Sequence, residues 1–167
     1  MVQKIGPVNS TESVAANYLD QLAKRFELSN LTNENLGKAV KSAVEQLQNV
    51  AGEWKDQDDN ARNAAWEIRF QKPNPAGRTE SDKAVAKARE DEEPRAKVYR
   101  AKARETVGRA NDLRQQILKR LGTSRKSKQD DTADALFQKL VGGNYTFGDL
   151  YSAAIYLDDL GKRFSEM

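Results

Sequence analysis

The stretch LGKAVKSAVEQLQNVAGEW (36–54) decides the fold. Leu36, Val40, Val44, Leu47, Val50 and Trp54 recur at steps of three and four, which is the period of one face of an α-helix. Thr32 or Asn33 stands in front of it as an N-cap, because a short side-chain oxygen can accept from an otherwise orphaned amide of the first turn. Ser29-Asn30 breaks the chain upstream. Before that break, Val14, Ala15, Tyr18, Leu19, Leu22 and Phe26 form the apolar stripe of a helix expected from about Thr11 to Glu27, with Ser10 or Thr11 as its cap. Residues 1–9 hold Gly6 and Pro7 and are expected to be an irregular lead.

Downstream, Asp56 to Asn60 is expected to interrupt the helix, with Asp58 or Asp59 capping a third one that carries Ala61, Ala64, Ala65, Ile68 and Phe70. Pro73, Pro75 and Gly77 mark a loop over 71–79, since two prolines two apart do not fit inside a helix. A helical region follows from near Ser81 to Leu121, kinked or broken at Pro94. Tyr99, Ala103, Val107, Ala110, Leu113, Ile117 and Leu121 trace one face of its later part, and Gly122 ends it. A basic linker over 122–129 leads to a short helix capped by Asp130 or Asp131, which Gly142-Gly143-Asn144 stops. Thr146 and Asp149 have capping-box spacing, opening a last helix to about Phe164. The expectation is therefore all-α: a single helical domain over 1–167, an elongated antiparallel bundle of five to seven helices with one long basic helix.

Composition limits the chemistry. The 167 residues contain 21 alanines, which bury little surface each, so thin helical layers suit the chain better than a thick core. There is neither Cys nor His, which removes disulfides, thiolate and imidazole metal sites, and every His-dependent triad. No Walker A or GxGxxG sequence is present. The paired carboxylates Asp58-Asp59, Glu92-Glu93, Asp130-Asp131 and Asp158-Asp159 are helix neighbours that point about 100° apart and do not converge on one atom. Asp56, Asp58, Asn60 and Glu67 reproduce the ligand spacing of an EF-hand loop, but Ala61 stands where that loop needs glycine. A turn is the expected reading there. No metal, cofactor or catalytic residue is assigned, and the chain is read as no enzyme. The N-terminus carries no signal-peptide-like apolar stretch and no run is long enough to span a bilayer, so a cytoplasmic location and no membrane partner are expected.

Charge is unevenly placed. From Arg95 to Lys128 there are 12 basic residues against Glu105 and Asp112, whereas the whole chain nets only +3. Such a segment attracts phosphate backbones by releasing condensed counterions. Tyr99 alone is available for stacking, so backbone contact with low sequence specificity is expected, through Arg100, Arg104, Arg109, Arg114, Lys119, Arg120, Arg125 and Lys126. The alternative is a cationic face neutralised at home, with Asp130, Asp131, Asp134, Asp149, Asp158 and Asp159 as candidate partners. Trp54 and Trp66 are expected in the core. An exposed Trp66 beside Arg69 and Phe70 would instead anchor an interface.

AANYLDQLAKRF (15–26) and AAIYLDDLGKRF (153–164) are identical at nine of twelve positions. The same positions are expected to face the core in both: Ala15, Leu19, Leu22 and Phe26 against Ala153, Leu157, Leu160 and Phe164. If the two helices fit one niche, the N-terminal helix of one chain could replace the C-terminal helix of another and build a homo-oligomer head to tail. Tyr18, Lys24, Arg25, Tyr156, Lys162 and Arg163 are the corresponding partner-binding candidates.

LTNENLGKAVKSAVEQL (31–47) with WEIRFQKPNPAGR (66–78) resembles the LT-x-x-x-L helix and later AGR segment of small helical subunits of CRISPR effector complexes. The two stretches are under a quarter of the chain, and the two prolines at 73 and 75 and the long basic helix depart from that pattern. The resemblance implies a binder of guide-RNA or target-strand backbone within a multisubunit complex. The sequence thus leads to two functions. One is a non-catalytic binding subunit on nucleic-acid phosphates. The other is a structural or adaptor protein that self-assembles or docks a protein, acidic or otherwise, through its terminal helices.

Overall fold

A computed structural model describes residues 11–122 and 127–166. The lead 1–9 and residues 123–126 of the connector, Arg125 and Lys126 among them, lie outside the described residues. Six helices follow in order: α1 Thr11–Asn30, α2 Asn33–Gln71, α3 Ala76–Glu90, α4 Glu92–Leu121, α5 Lys128–Gly142 and α6 Phe147–Ser165. The described residues contain no strand, and the architecture is an all-α helical bundle.

The spine is α2, which at 39 residues is about 58 Å long. Thr32 caps it by accepting from the Asn35 amide at 3.1 Å. Asp56–Asn60 does not interrupt it, contrary to expectation. Asp59 takes Lys55 at 2.7 Å and Arg62 at 2.9 Å along the same helix, and Asp58 takes Arg95 of α4 at 2.9 Å. The acidic run is therefore the salt-bridged flank of a continuous helix, and neither a turn nor a calcium loop forms there.

Antiparallel to α2 run α3 and α4, almost end to end. Trp54 lies on Tyr99, Glu53 meets Lys102 at 3.6 Å, and Arg120 reaches Asn33 at 2.8 Å. Pro94 is the third residue of α4. First-turn amides have no partner within a helix, so the missing donor costs nothing. The chain turns at Asp91 instead, and the Arg95 amide closes on the Asp91 carbonyl at 3.1 Å.

Below Trp54 the bundle is three-sided. Leu36, Val40, Val44 and Leu47 of α2 pack with Val107, Ala110, Leu113 and Ile117 of α4 and with Leu150, Ala153, Leu157, Leu160 and Phe164 of α6. Each fully buried Leu or Phe stabilises this region by about 1.5–3 kcal/mol. Small residues bring the axes close: a Cβ on Gly161 would sit 3.0 Å from Val40 Cγ1. Aromatics close the top, with Trp54 stacked on Tyr99 at 6.1 Å and edge-on to Tyr145 and Phe147. Tyr99 is thus buried in the core and is not offered for base stacking.

Above Trp54, α2 continues as an arm whose companion is α3. Ala65, Gly77, Ser81 and Ala88 are its buried seam, and Ser81 Oγ donates to the Ala65 carbonyl at 2.9 Å. The connection between the two helices is only residues 72–75, shorter than the loop expected over 71–79, and α3 begins at Ala76 rather than near Ser81. Trp66 is not in the core. An alanine seam leaves no room for indole, so Trp66 and Phe70 are exposed, with Arg69 over the Trp66 ring at 5.4 Å.

Ser127, not Asp130 or Asp131, caps α5; Asp130 is the third helical residue and completes a capping box with it. The Thr146–Asp149 box forms as expected, and Gly143 ends α5 at φ +82°.

Candidate docking face and the basic helix

The two terminal near-copies have opposite fates. In α6, Ala153, Ala154, Leu157, Leu160 and Phe164 are all buried. In α1, Ala15 is exposed, as are Tyr18 (61%), Leu19 (62%), Leu22 (40%) and Phe26 (71%). The expectation that both stripes face the core is overturned for α1. The physical reason is occupancy: α2, α4, α5 and α6 already enclose the core, and among the described side chains of α1 only Leu28 reaches it.

The end of α1 is held by Arg120. Its guanidinium donates to the carbonyls of Leu28 (3.3 Å), Ser29 (3.3 Å) and Leu31 (2.7 Å) and to Asn33 Oδ1 (2.8 Å). These are the orphan acceptors of a helix C-terminus and its turn. Arg120 therefore orients α1 over α4. A groove of about 580 Å³ runs between the two helices, walled by Leu22, Phe26, Leu28, Gln115, Gln116 and Lys119.

Among the partner-binding candidates, Lys24 is exposed and pairs with Asp20 at 3.4 Å. The side chain of Arg25 lies outside the described residues. Lys162 pairs with Asp158 at 3.2 Å on the surface. Tyr156 and Arg163 are committed inside the molecule. Tyr156 donates its hydroxyl proton to Asp130 Oδ1 at 2.6 Å, and Arg163 donates to both Asp130 oxygens at 2.9 and 3.1 Å. Burial works to raise the Asp130 carboxyl, but these bonds and the Ser127 amide outweigh it and hold it at about 2. The same burial, with Asp130 as acceptor, pushes the Tyr156 hydroxyl up.

Four of the nine cations of α4 are paired with carboxylates of the same chain. Arg100 donates to the Tyr145 carbonyl at 2.9 Å and to Glu93 at 2.7 Å, and lies over the Trp54 ring. Arg114, only 4% exposed, donates to Asn111 and Asp134 and stacks on Phe137 at 4.9 Å. Arg95 and Lys102 pair with Asp58 and Glu53 across α2. Of the expected acidic partners, Asp134 takes Arg114 of this segment, whereas Asp130 turns to Arg163, Asp149 to Lys139 and Asp158 to Lys162. Arg104, Arg109 and Lys119, with Lys97, are exposed and make no ion pair or side-chain hydrogen bond among the described residues. Arg125 and Lys126 lie outside the described residues.

No three carboxylates among the described residues converge to hold a metal ion, and no helix there is long and apolar enough to cross a membrane. Comparison with protein-family models, curated proteins and solved structures gives no match, so no relative extends the two-stretch resemblance of 31–47 and 66–78 to this chain.

Proposed function

We propose that the chain is a non-catalytic adaptor that docks a protein partner through α1. One observation carries this reading: a twelve-residue pattern buried in α6 is repeated in α1 with its apolar face in solvent. Four large apolar side chains on one face of α1 form an exposed patch as large as the largest apolar patch of a typical monomer, which is often functional. Arg120 fixes the helix in place, which lowers the ordering cost of docking.

The test is the native size of the complex in extracts of the producing cell. The wild-type chain should sediment above its own 18.7 kDa. Leu19→Glu with Leu22→Glu should collapse it to that mass, whereas Ile155→Glu, on an exposed site of α6, should not. A wild-type chain running as a free monomer would overturn the reading.

A second reading, backbone binding of nucleic acid by α4, is supported by one feature. Lys97, Arg104 and Lys119 project within about 60° of one another along the helix. Its test is a salt titration of generic DNA and RNA binding. Lys97→Gln, Arg104→Gln and Lys119→Gln together should flatten the salt slope by about two to three. A slope near zero in the wild type would remove this reading.

A further inference from the structure

We infer that the partner of α1 is a second copy of this chain, paired α1 against α1 in an antiparallel register centred on Leu22. The inference rests on the reading of α1 as a docking helix and specifies what it docks. The first step is where α1 cannot go. Its near-copy α6 occupies the niche on α2 and is tethered there, at an effective concentration of about 1 mM or more. A free α1 from another chain does not displace it at lower concentration. The fit is also worse, because α1 has Ala23 where α6 has Gly161, and a Cβ at 161 presses on Val40 Cγ1 at 3.0 Å. Head-to-tail exchange of the terminal helices is thereby disfavoured, and the exposed stripe needs another cover.

The stripe itself is self-complementary. Tyr18, Leu19, Leu22 and Phe26 fall within about 100° of the helix circumference. Asp20 and Lys24 lie on the opposite side, paired with each other at 3.4 Å. In an antiparallel pair about a two-fold axis at Leu22, Leu22 meets its own counterpart. Tyr18 then lies opposite the partner's Phe26, twice by symmetry. The groove of about 580 Å³ adjoins the stripe, with Leu22 and Phe26 among its walls. The four side chains expose roughly 450 Å² of mostly apolar surface per copy. Two stripes plus the groove walls reach about 1,200 Å², the lower edge of a specific interface. A closed, reversible dimer at micromolar concentration follows, not a filament.

The chain has no cysteine, so single cysteines read the register directly. Sedimentation equilibrium of the purified full chain from about 1 to about 200 µM should show mass rising from 18.7 kDa to twice that value and no further. Leu22→Glu, at a solvent-exposed position, should weaken association about tenfold or more. Under oxidised glutathione, Leu22→Cys should form a disulfide-linked dimer alone. Tyr18→Cys and Phe26→Cys should link efficiently only when mixed, because the antiparallel register opposes them. Efficient linking of Tyr18→Cys by itself would overturn the register. Mass growing beyond the dimer would overturn the closed pair in favour of exchange. A purified monomer at every concentration, alongside an α1-dependent large species in extracts, would overturn the second copy and leave the docking reading standing. Monomer in both settings would remove both.

Discussion

Replacing Asp130 by Asn tests how α5 is held to α6. The carboxylate is buried and accepts from Tyr156, from both arms of Arg163 and from the Ser127 amide. Its ordinary value of 3.8 is lowered to about 2 in the fold. That difference corresponds to about 2.5 kcal/mol of stability at neutral pH. The folded value is the lower one, so this contribution is complete above about pH 5 and falls as pH descends through the range from 3.8 to about 2. Asn keeps the shape and one acceptor but loses the charge. Asp130→Asn should cost about 2–3 kcal/mol at pH 7, or about 5–10 °C in Tm for a chain of this size. By about pH 3 nearly half of the linkage difference between variant and wild type should be gone. The assay is urea unfolding followed by far-ultraviolet circular dichroism at pH 7, 5, 4 and 3. An Asn variant as stable as wild type at pH 7, or a stability gap that does not narrow on acidification, would refute the reasoning.

Other outcomes follow from the packing. Gly77→Ala would place a Cβ 2.8 Å from the Arg69 carbonyl oxygen and closer still to that of Lys72. It should destabilise by about 1–3 kcal/mol, read as a lowered urea midpoint. An unchanged midpoint would mean that α2 and α3 are not seamed as described. Gly143→Ala, at φ +82°, should cost about 1 kcal/mol by the same measurement. Arg120→Ala should release the end of α1 at a cost of about 1–3 kcal/mol. Amide hydrogen exchange should then accelerate across α1 but not across α6. Equal exchange in variant and wild type would show that Arg120 does not hold the helix.

Much of the bundle was legible because its signals are local. The period of 36–54, the Thr32 cap, the Thr146–Asp149 box, Gly122 and Gly143 each act within one or two turns. The misreadings came from partners far apart in the chain. Asp56–Asn60 reads as a break until Arg95, 37 residues past Asp58, is seen to pair with it. Within the basic run 95–128, sequence order does not show that Arg95, Arg100, Lys102 and Arg114 pair with Asp58, Glu93, Glu53 and Asp134. The α1 stripe reads as core because amphipathicity records which face is apolar and not what covers it. Only the competition of α1 and α6 for one finite core separates two nearly identical segments. The Gly161–Ala23 difference, tight against Val40, is a trace of it in the sequence.

The central claim is that the exposed face of α1 is covered by protein when the chain is at work. A photo-crosslinking amino acid at Leu19, installed in the full chain in its producing cell, tests it most directly, with Glu105 on the exposed surface of α4 as the control position. Covalent adducts of one defined mass, formed from position 19, lost with Leu22→Glu and absent from position 105, are the predicted result. Equal labelling from both positions, or no protein adduct from position 19, would contradict the account.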